Sequence, residues 1–229
     1  MPRSASKSFQ LNANLYLKSR YSKVLTTVND QEYGVGEILF VTYKNQQGHV
    51  HMFNNMLEYH PGTIEIKQEL QTRVELVCSG LPVIAKYFPI QFQPEIEIEF
   101  LRNTVHMFDR VYVLQRRDIV EHRRSFCLSW YLDSWWPDLL QQKIIQKTME
   151  NPVVFPDELV DWFNKMHKQF SYVIEHLPPR NIFYIFTEDL ININTSKDWC
   201  EFLCLPDAEF LFYKNGREFG DKKTKMILA

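Results

Sequence analysis

The run Val111-Tyr112-Val113-Leu114 constrains this chain more than any other. A continuous apolar run with β-branched and aromatic residues reads as a strand buried on both faces, as strands of a parallel sheet are. Arg116-Arg117-Asp118 interrupts it. Asp118 and Glu121 stand at the spacing of an N-cap and its N3 partner, which predicts a helix from about Ile119. Arginines at a strand-to-helix hand-over lie at the carboxyl edge of a sheet, where open α/β folds bind ligands. Arg110, Arg116, Arg117, Arg123 and Arg124 all fall in this stretch, although the formal net charge of the chain is only −2. Such a local basic cluster suits an anion, most simply a phosphate.

The start of the chain, Met1-Pro2-Arg3-Ser4-Ala5-Ser6-Lys7-Ser8-Phe9, offers hydroxyls and cations ahead of an amphipathic run through Phe9, Leu11, Leu15 and Leu17. Backbone N–H groups opening a helix, together with a cation and hydroxyls, make a phosphate cradle. The glycines of the GxxxxGK[ST] loop are absent, since Met1 and Ser6 stand at their positions.

Together these two stretches resemble the sulfotransferase family, whose members move a sulfonate from 3′-phosphoadenosine 5′-phosphosulfate (PAPS) to a hydroxyl or amine. Pro2-Arg3-Ser4-Ala5-Ser6-Lys7 is similar to the family's first loop, with Ala5 in place of the usual glycine. Arg117 and Ser125 have the spacing of its second motif, an Arg after an apolar strand and a Ser on the next helix. The resemblance implies that Arg3, Ser4, Ala5, Ser6, Lys7 and Ser8 hold the 5′-phosphosulfate and that Arg117 and Ser125 hold the 3′-phosphate. Leu81 to Pro89 looks like the family strand that ends in a lysine near the sulfonate, here Lys86. Tyr213-Lys214-Asn215-Gly216 looks like the late loop that closes on the nucleotide, with Lys214 and Gly216 as contacts. Thr187-Glu188-Asp189-Leu190 and Phe202-Leu203-Cys204-Leu205-Pro206 resemble phrases of the same family and read mostly as scaffold, with an acid/base pair as the other reading of Glu188 and Asp189.

The implied fold is α/β: a three-layer, P-loop-like parallel sheet flanked by helices, with residues 1–229 forming a single domain. The family's phosphate loop follows a central strand, and Met1 stands one residue before the loop. The expectation is therefore a sheet lacking its first central strand, in a truncated chain.

An apolar content of 45% excludes a disordered chain. The near-zero net charge argues against a general nucleic-acid partner. No apolar run approaches the length of a membrane span and no targeting pattern is visible, so no membrane association and a cytoplasmic setting are expected. Cys78, Cys127, Cys200 and Cys204 follow no zinc-ligand pattern, and Cys200 and Cys204 have helical spacing on one face, so reduced, packed thiols and no metal are expected.

Helices are expected over Ser6 to Arg20, Ile64 to Ser79, Glu95 to Met107, Ile119 to Leu132, Pro156 to Leu177 and Ser196 to Leu205. Strands are expected over Pro82 to Tyr87 and Asn181 to Phe186, while Ile38 to Val41 reads as a strand or a buried loop. Residues 44–63 read as an irregular insertion.

Sulfonate transfer needs a base, cations on the developing charge, and an in-line donor. Arg3 and Lys7 are the candidate cations, with Lys86 either a sulfonate contact or a strand-end surface lysine. Cytosolic family members carry a histidine two residues after that lysine, where this chain has Phe88. Other members use a glutamate after the first helix, and Glu37 in Gly34-Val35-Gly36-Glu37 looks like it; a surface turn glutamate is the other reading. His49, His51 and His60 are further base candidates. Arg116, Arg123 and Arg124 read as surface or partner charges. The acceptor is expected to be a small molecule or glycan, and Tyr43, Phe53, Trp135 and Trp136 either stack on a sugar or fill the core. Two rivals are a kinase with a degenerate phosphate loop around Lys7-Ser8 and a non-catalytic sulfotransferase-like binding module.

Overall fold

The computed structural model describes residues 9, 12, 13, 15, 16, 24–27, 35–41, 55–65, 67, 68, 83–90, 92–131, 154–190 and 192–212, of which 24–27, 41, 83–86 and 131 are described through the backbone alone. The strands are β1 (Val24–Thr27), β2 (Glu37–Val41), β3 (Val83–Tyr87), β4 (Arg110–Gln115) and β5 (Ile182–Phe186). The helices with defined bounds are α1 (Pro94–Thr104), α2 (Ile119–Tyr131), α3 (Asp157–Glu175), α4 (Thr187–Leu190) and α5 (Ser196–Phe202). Residues 9, 12, 13, 15 and 16 are helical, in agreement with the amphipathic run at the start of the chain.

The chain is α/β, with one five-stranded sheet in the order β1-β3-β2-β4-β5. Its sides alternate as strand geometry demands. Ile38, Phe40, Val111 and Val113 face a core built with Phe100, Phe126, Phe163 and Phe170 of α1, α2 and α3. Leu39, Tyr112, Leu114 and Ile185 face a second core with Phe9, Ala13, Tyr16 and Trp199. Helices therefore cover both faces. Each fully buried ring among these contributes about 2–3 kcal/mol relative to exposure.

The expectation of a parallel sheet is corrected at one strand. β1, β3, β4 and β5 are mutually parallel, but β2 lies between β3 and β4 and runs antiparallel to both. Ile38, Leu39 and Phe40 are all 0% exposed, so β2 needs cover on both faces and takes the centre. Its direction follows from chain length. Only nine residues separate Thr27 from Glu37, whereas a parallel crossover needs a dozen or more. β2 therefore starts at the edge where β1 ends.

A second correction concerns residues 55–59, expected to be irregular and found helical. Met56 and Leu57 are buried in the first core, which stabilises a turn that polar composition alone disfavours. A third concerns the late cysteines. α5 stops at Phe202 and Cys204 turns at φ 52°, so Cys200 is buried while Cys204 is exposed, and the two share no helix face.

Gly36 precedes β2 where α3 passes close by. A Cβ at this position would meet the Phe170 ring at 2.3, 2.5 and 2.7 Å. Phe170 is 1% exposed within the first core. Gly36→Ala is expected to destabilise the fold by about 1–3 kcal/mol, the usual cost of overpacking. Urea denaturation measures this, and adding Phe170→Leu should recover part of the loss.

Candidate functional site

Four parallel strands end at one edge of the sheet, and the antiparallel β2 begins there. Glu37 pairs with Leu114, Ile38 with both Val113 and Tyr87, and Gln115 with Phe186. Glu37, the end of β3, the Arg116-Arg117 hand-over and Glu188-Asp189 after β5 consequently share that edge. This is the carboxyl edge that the strand-to-helix reading called for.

The hand-over is held by hydrogen bonds from two directions. The Asp118 side chain accepts from the Glu121 backbone N–H at 2.9 Å, as an N-cap does, and the Asp118 carbonyl accepts from His122 at 3.0 Å. The Glu121 carboxylate does not complete a capping box; its Oε1 lies 4.0 Å from Arg124. Glu188 takes over that role from the neighbouring strand end. It accepts from the Arg117 N–H at 3.1 Å and the Asp118 N–H at 3.5 Å.

The Arg117 side chain is 59% exposed. Its Nη2 donates to both carboxylate oxygens of Asp189, at 3.1 and 3.0 Å, and its guanidinium carbon sits 4.5 Å from the centre of the Phe186 ring. Ser125, its expected phosphate partner, is 6% exposed. Arg116, expected at the surface, is half-buried, and burial lowers its pKa against the opposing carboxylates of Glu188, Glu121 and Asp118. Glu37 is half-buried at the start of β2. Lys86 pairs with Leu39 through its backbone, and its side chain lies outside the described residues. Arg3, Ser4, Ala5, Ser6, Lys7, Ser8, Lys214 and Gly216 lie outside them as well, as do His49, His51, Tyr43, Phe53, Trp135 and Trp136.

One buried polar group escaped the sequence reading. Glu97 is 0% exposed inside the first core. It accepts a short hydrogen bond from the Tyr87 hydroxyl and a 2.9 Å bond from the Phe92 N–H. Burial first, then the Glu97 charge and hydrogen bond, holds the Tyr87 phenol well above its ordinary range. His60, one of the base candidates, is 1% exposed beside this pair. It lies edge-on to the rings of Tyr87, Phe92 and Phe100, and its Nδ1 accepts from Gly62 at 3.1 Å. The signal was in the spacing: Glu97 lies on the same helical stripe as Phe100, Leu101 and Thr104, all buried.

Between α2 and α3 runs an open groove of about 460 Å³ lined by Ile119, Arg123, Phe163, Asn164, Lys168 and Tyr172, among others. Behind it, the His122 ring meets Phe163 edge-on at 5.2 Å. Among the described residues no helix is long and apolar enough to cross a membrane, and no group of three His, Cys, Asp or Glu residues could hold a metal. No family model matches the chain, and no curated protein or solved structure does.

Two outcomes follow from this geometry. Glu97→Ala strands two buried donors and is expected to cost about 3 kcal/mol in a denaturant titration, with Glu97→Gln losing clearly less. The second concerns acid. Burial, with Arg116 and His167 nearby, pushes the His122 pKa down to about 3. Below about 6.5 the unfolded chain takes up a proton that folded His122 refuses, so stability falls as pH drops toward 3, by at most about 1.4 kcal/mol per pH unit. Melting temperatures at pH 7 and pH 4.5 should diverge less in His122→Gln than in the parent chain.

Proposed function

We propose that this chain is a PAPS-dependent sulfotransferase with a P-loop-like fold, acting on a hydroxyl acceptor for which a carbohydrate is the first choice. The observation that carries the reading is the state of Arg117. Its guanidinium is anchored on Phe186 and Asp189 at an exposed sheet edge, yet it spends a single nitrogen on that carboxylate. Nε and Nη1 have no partner among the described residues and remain as donors for a phosphate oxygen. In this reading Arg117 and Ser125 hold the 3′-phosphate, and the loop Arg3 to Ser8 holds the phosphosulfate.

Transfer forms a bond from the acceptor oxygen to sulfur and breaks the bond from sulfur to the bridging phosphate oxygen. The acceptor proton passes to Glu37, and 3′,5′-adenosine bisphosphate leaves with the negative charge of the broken bond. Glu37 shares the sheet edge with Arg117 because β2 runs antiparallel. Arg3 and Lys86 are the cations for the leaving oxygen and the sulfonate.

A second reading draws on the same edge. Asp189 and Glu188 tie Arg117 and Asp118 to the end of β5, and Ser125 is buried. These bonds would serve equally in a non-catalytic module of the same fold.

Calorimetry with 3′,5′-adenosine bisphosphate separates the readings. Micromolar binding, weakened at least tenfold in Arg117→Ala, is the expected result. Preference for ATP with Mg²⁺ would point to a kinase, and no nucleotide binding to the module. In a PAPS transfer assay, Glu37→Gln should lower kcat by about 10²–10⁴-fold while leaving bisphosphate affinity unchanged.

A further inference from the structure

Arg116, Arg117, Arg123 and Arg124 follow β4, and three of these four meet carboxylates. Arg117 pairs with Asp189, Arg124 lies 4.0 Å from Glu121, and Arg116 is opposed by Glu188, Glu121 and Asp118. Arg123 has neither an ion pair nor a hydrogen-bond partner among the described residues. It lines the groove between α2 and α3, and so does Lys168, which has no such partner among the described residues either. Among the described residues, the cations of this region without an ion-pair partner therefore line the groove.

The two cations come from different helices, so they stand on opposite walls. Between them Phe163 is 1% exposed, Ile119 and Tyr172 remain 44% and 41% exposed with the His176 ring 4.4 Å from that of Tyr172, and His167 and Ser171 complete the lining. Glu175 is the one carboxylate in the lining. It follows Lys168 by seven residues, which puts it roughly 10 Å further along the α3 axis. One end of the groove is thus cationic over an apolar floor.

We propose that this groove binds an amphipathic organic anion: a flat hydrophobic body bearing a carboxylate or sulfonate. Arg123 and Lys168 grip the anionic head from both sides, Ile119 and Tyr172 bury the body, and the exposed Asn164 amide supplies orientation. The volume of about 460 Å³ falls inside the roughly 300–1,000 Å³ of small-molecule sites. Arg117, Ser125 and Glu37 are not in the lining of this groove, so its occupancy is independent of nucleotide binding at the sheet edge.

The test is a fluorescence titration with 8-anilinonaphthalene-1-sulfonate, an aromatic sulfonate, against N-phenyl-1-naphthylamine, which has the same rings and no charge. Saturable one-to-one binding of the sulfonate is expected. It should weaken at least about tenfold in the Arg123→Gln/Lys168→Gln double variant, which loses two charge-assisted contacts, and the neutral compound should bind worse and ignore the substitution. Asn164→Glu, which adds a like charge at the exposed wall, should weaken the sulfonate as well, and circular dichroism verifies that both variants fold. No saturable binding, equal affinity in the double variant, or a neutral analogue that binds as tightly as the sulfonate overturns the proposal.

Discussion

Burial of β2 on both faces is the constraint on which the remaining architecture rests. Ile38 and Phe40 close one core, Leu39 the other, and none of the three is exposed. A strand with that pattern is stable only between two neighbours and two helix layers. Placing it centrally separates β3 from β4 and completes both ladders at once. The short link from β1 then makes it antiparallel, so that the start of β2 meets the ends of the parallel strands. Glu37 reaches the carboxyl edge of the parallel strands for this reason, and Gly36 must be small because Phe170 of α3 packs over the same turn.

Among the described residues, arginines and carboxylates at that edge face one another. The guanidinium groups that dominate the sequence of the hand-over arrive among carboxylates delivered by β5, by the cap and by the first turn of α2. Glu188 replaces the missing half of the capping box, binding backbone N–H groups that would otherwise go unpaired. Arg117 retains donors after pairing, Arg116 is drawn inward, and Arg123 carries its charge away into the helix groove. Three residues of one type thus take up three different positions within eight residues of chain.

Much of this was legible in the residues alone. The strand and helix of the hand-over, the cap at Asp118, the long helix near Asp157–Glu175 and the strand Ile182–Phe186 follow from apolar period and turn chemistry, which act over a few neighbours. The scaffold reading of Glu188 and Asp189 also agrees with their bonds to residues 117 and 118. The direction of β2 was not legible, because it depends on which strands lie beside it. Nor was the Glu97–Tyr87 bond, which joins an acidic helix residue to a strand end inside a core.

The amino-acid order by itself determined the body of most elements, that the architecture is α/β, and that a basic cluster stands between β4 and α2. These properties are set by local propensity, capping and periodicity, which need no distant partner. Tertiary structure alone decided that β2 fills the centre in reverse, that Arg117 answers to Asp189 while Arg123 answers to no carboxylate among the described residues, and that Glu97 is buried against Tyr87. Each of those outcomes joins residues far apart in the chain, and the energy of a charge or a polar group depends on what folding brings beside it.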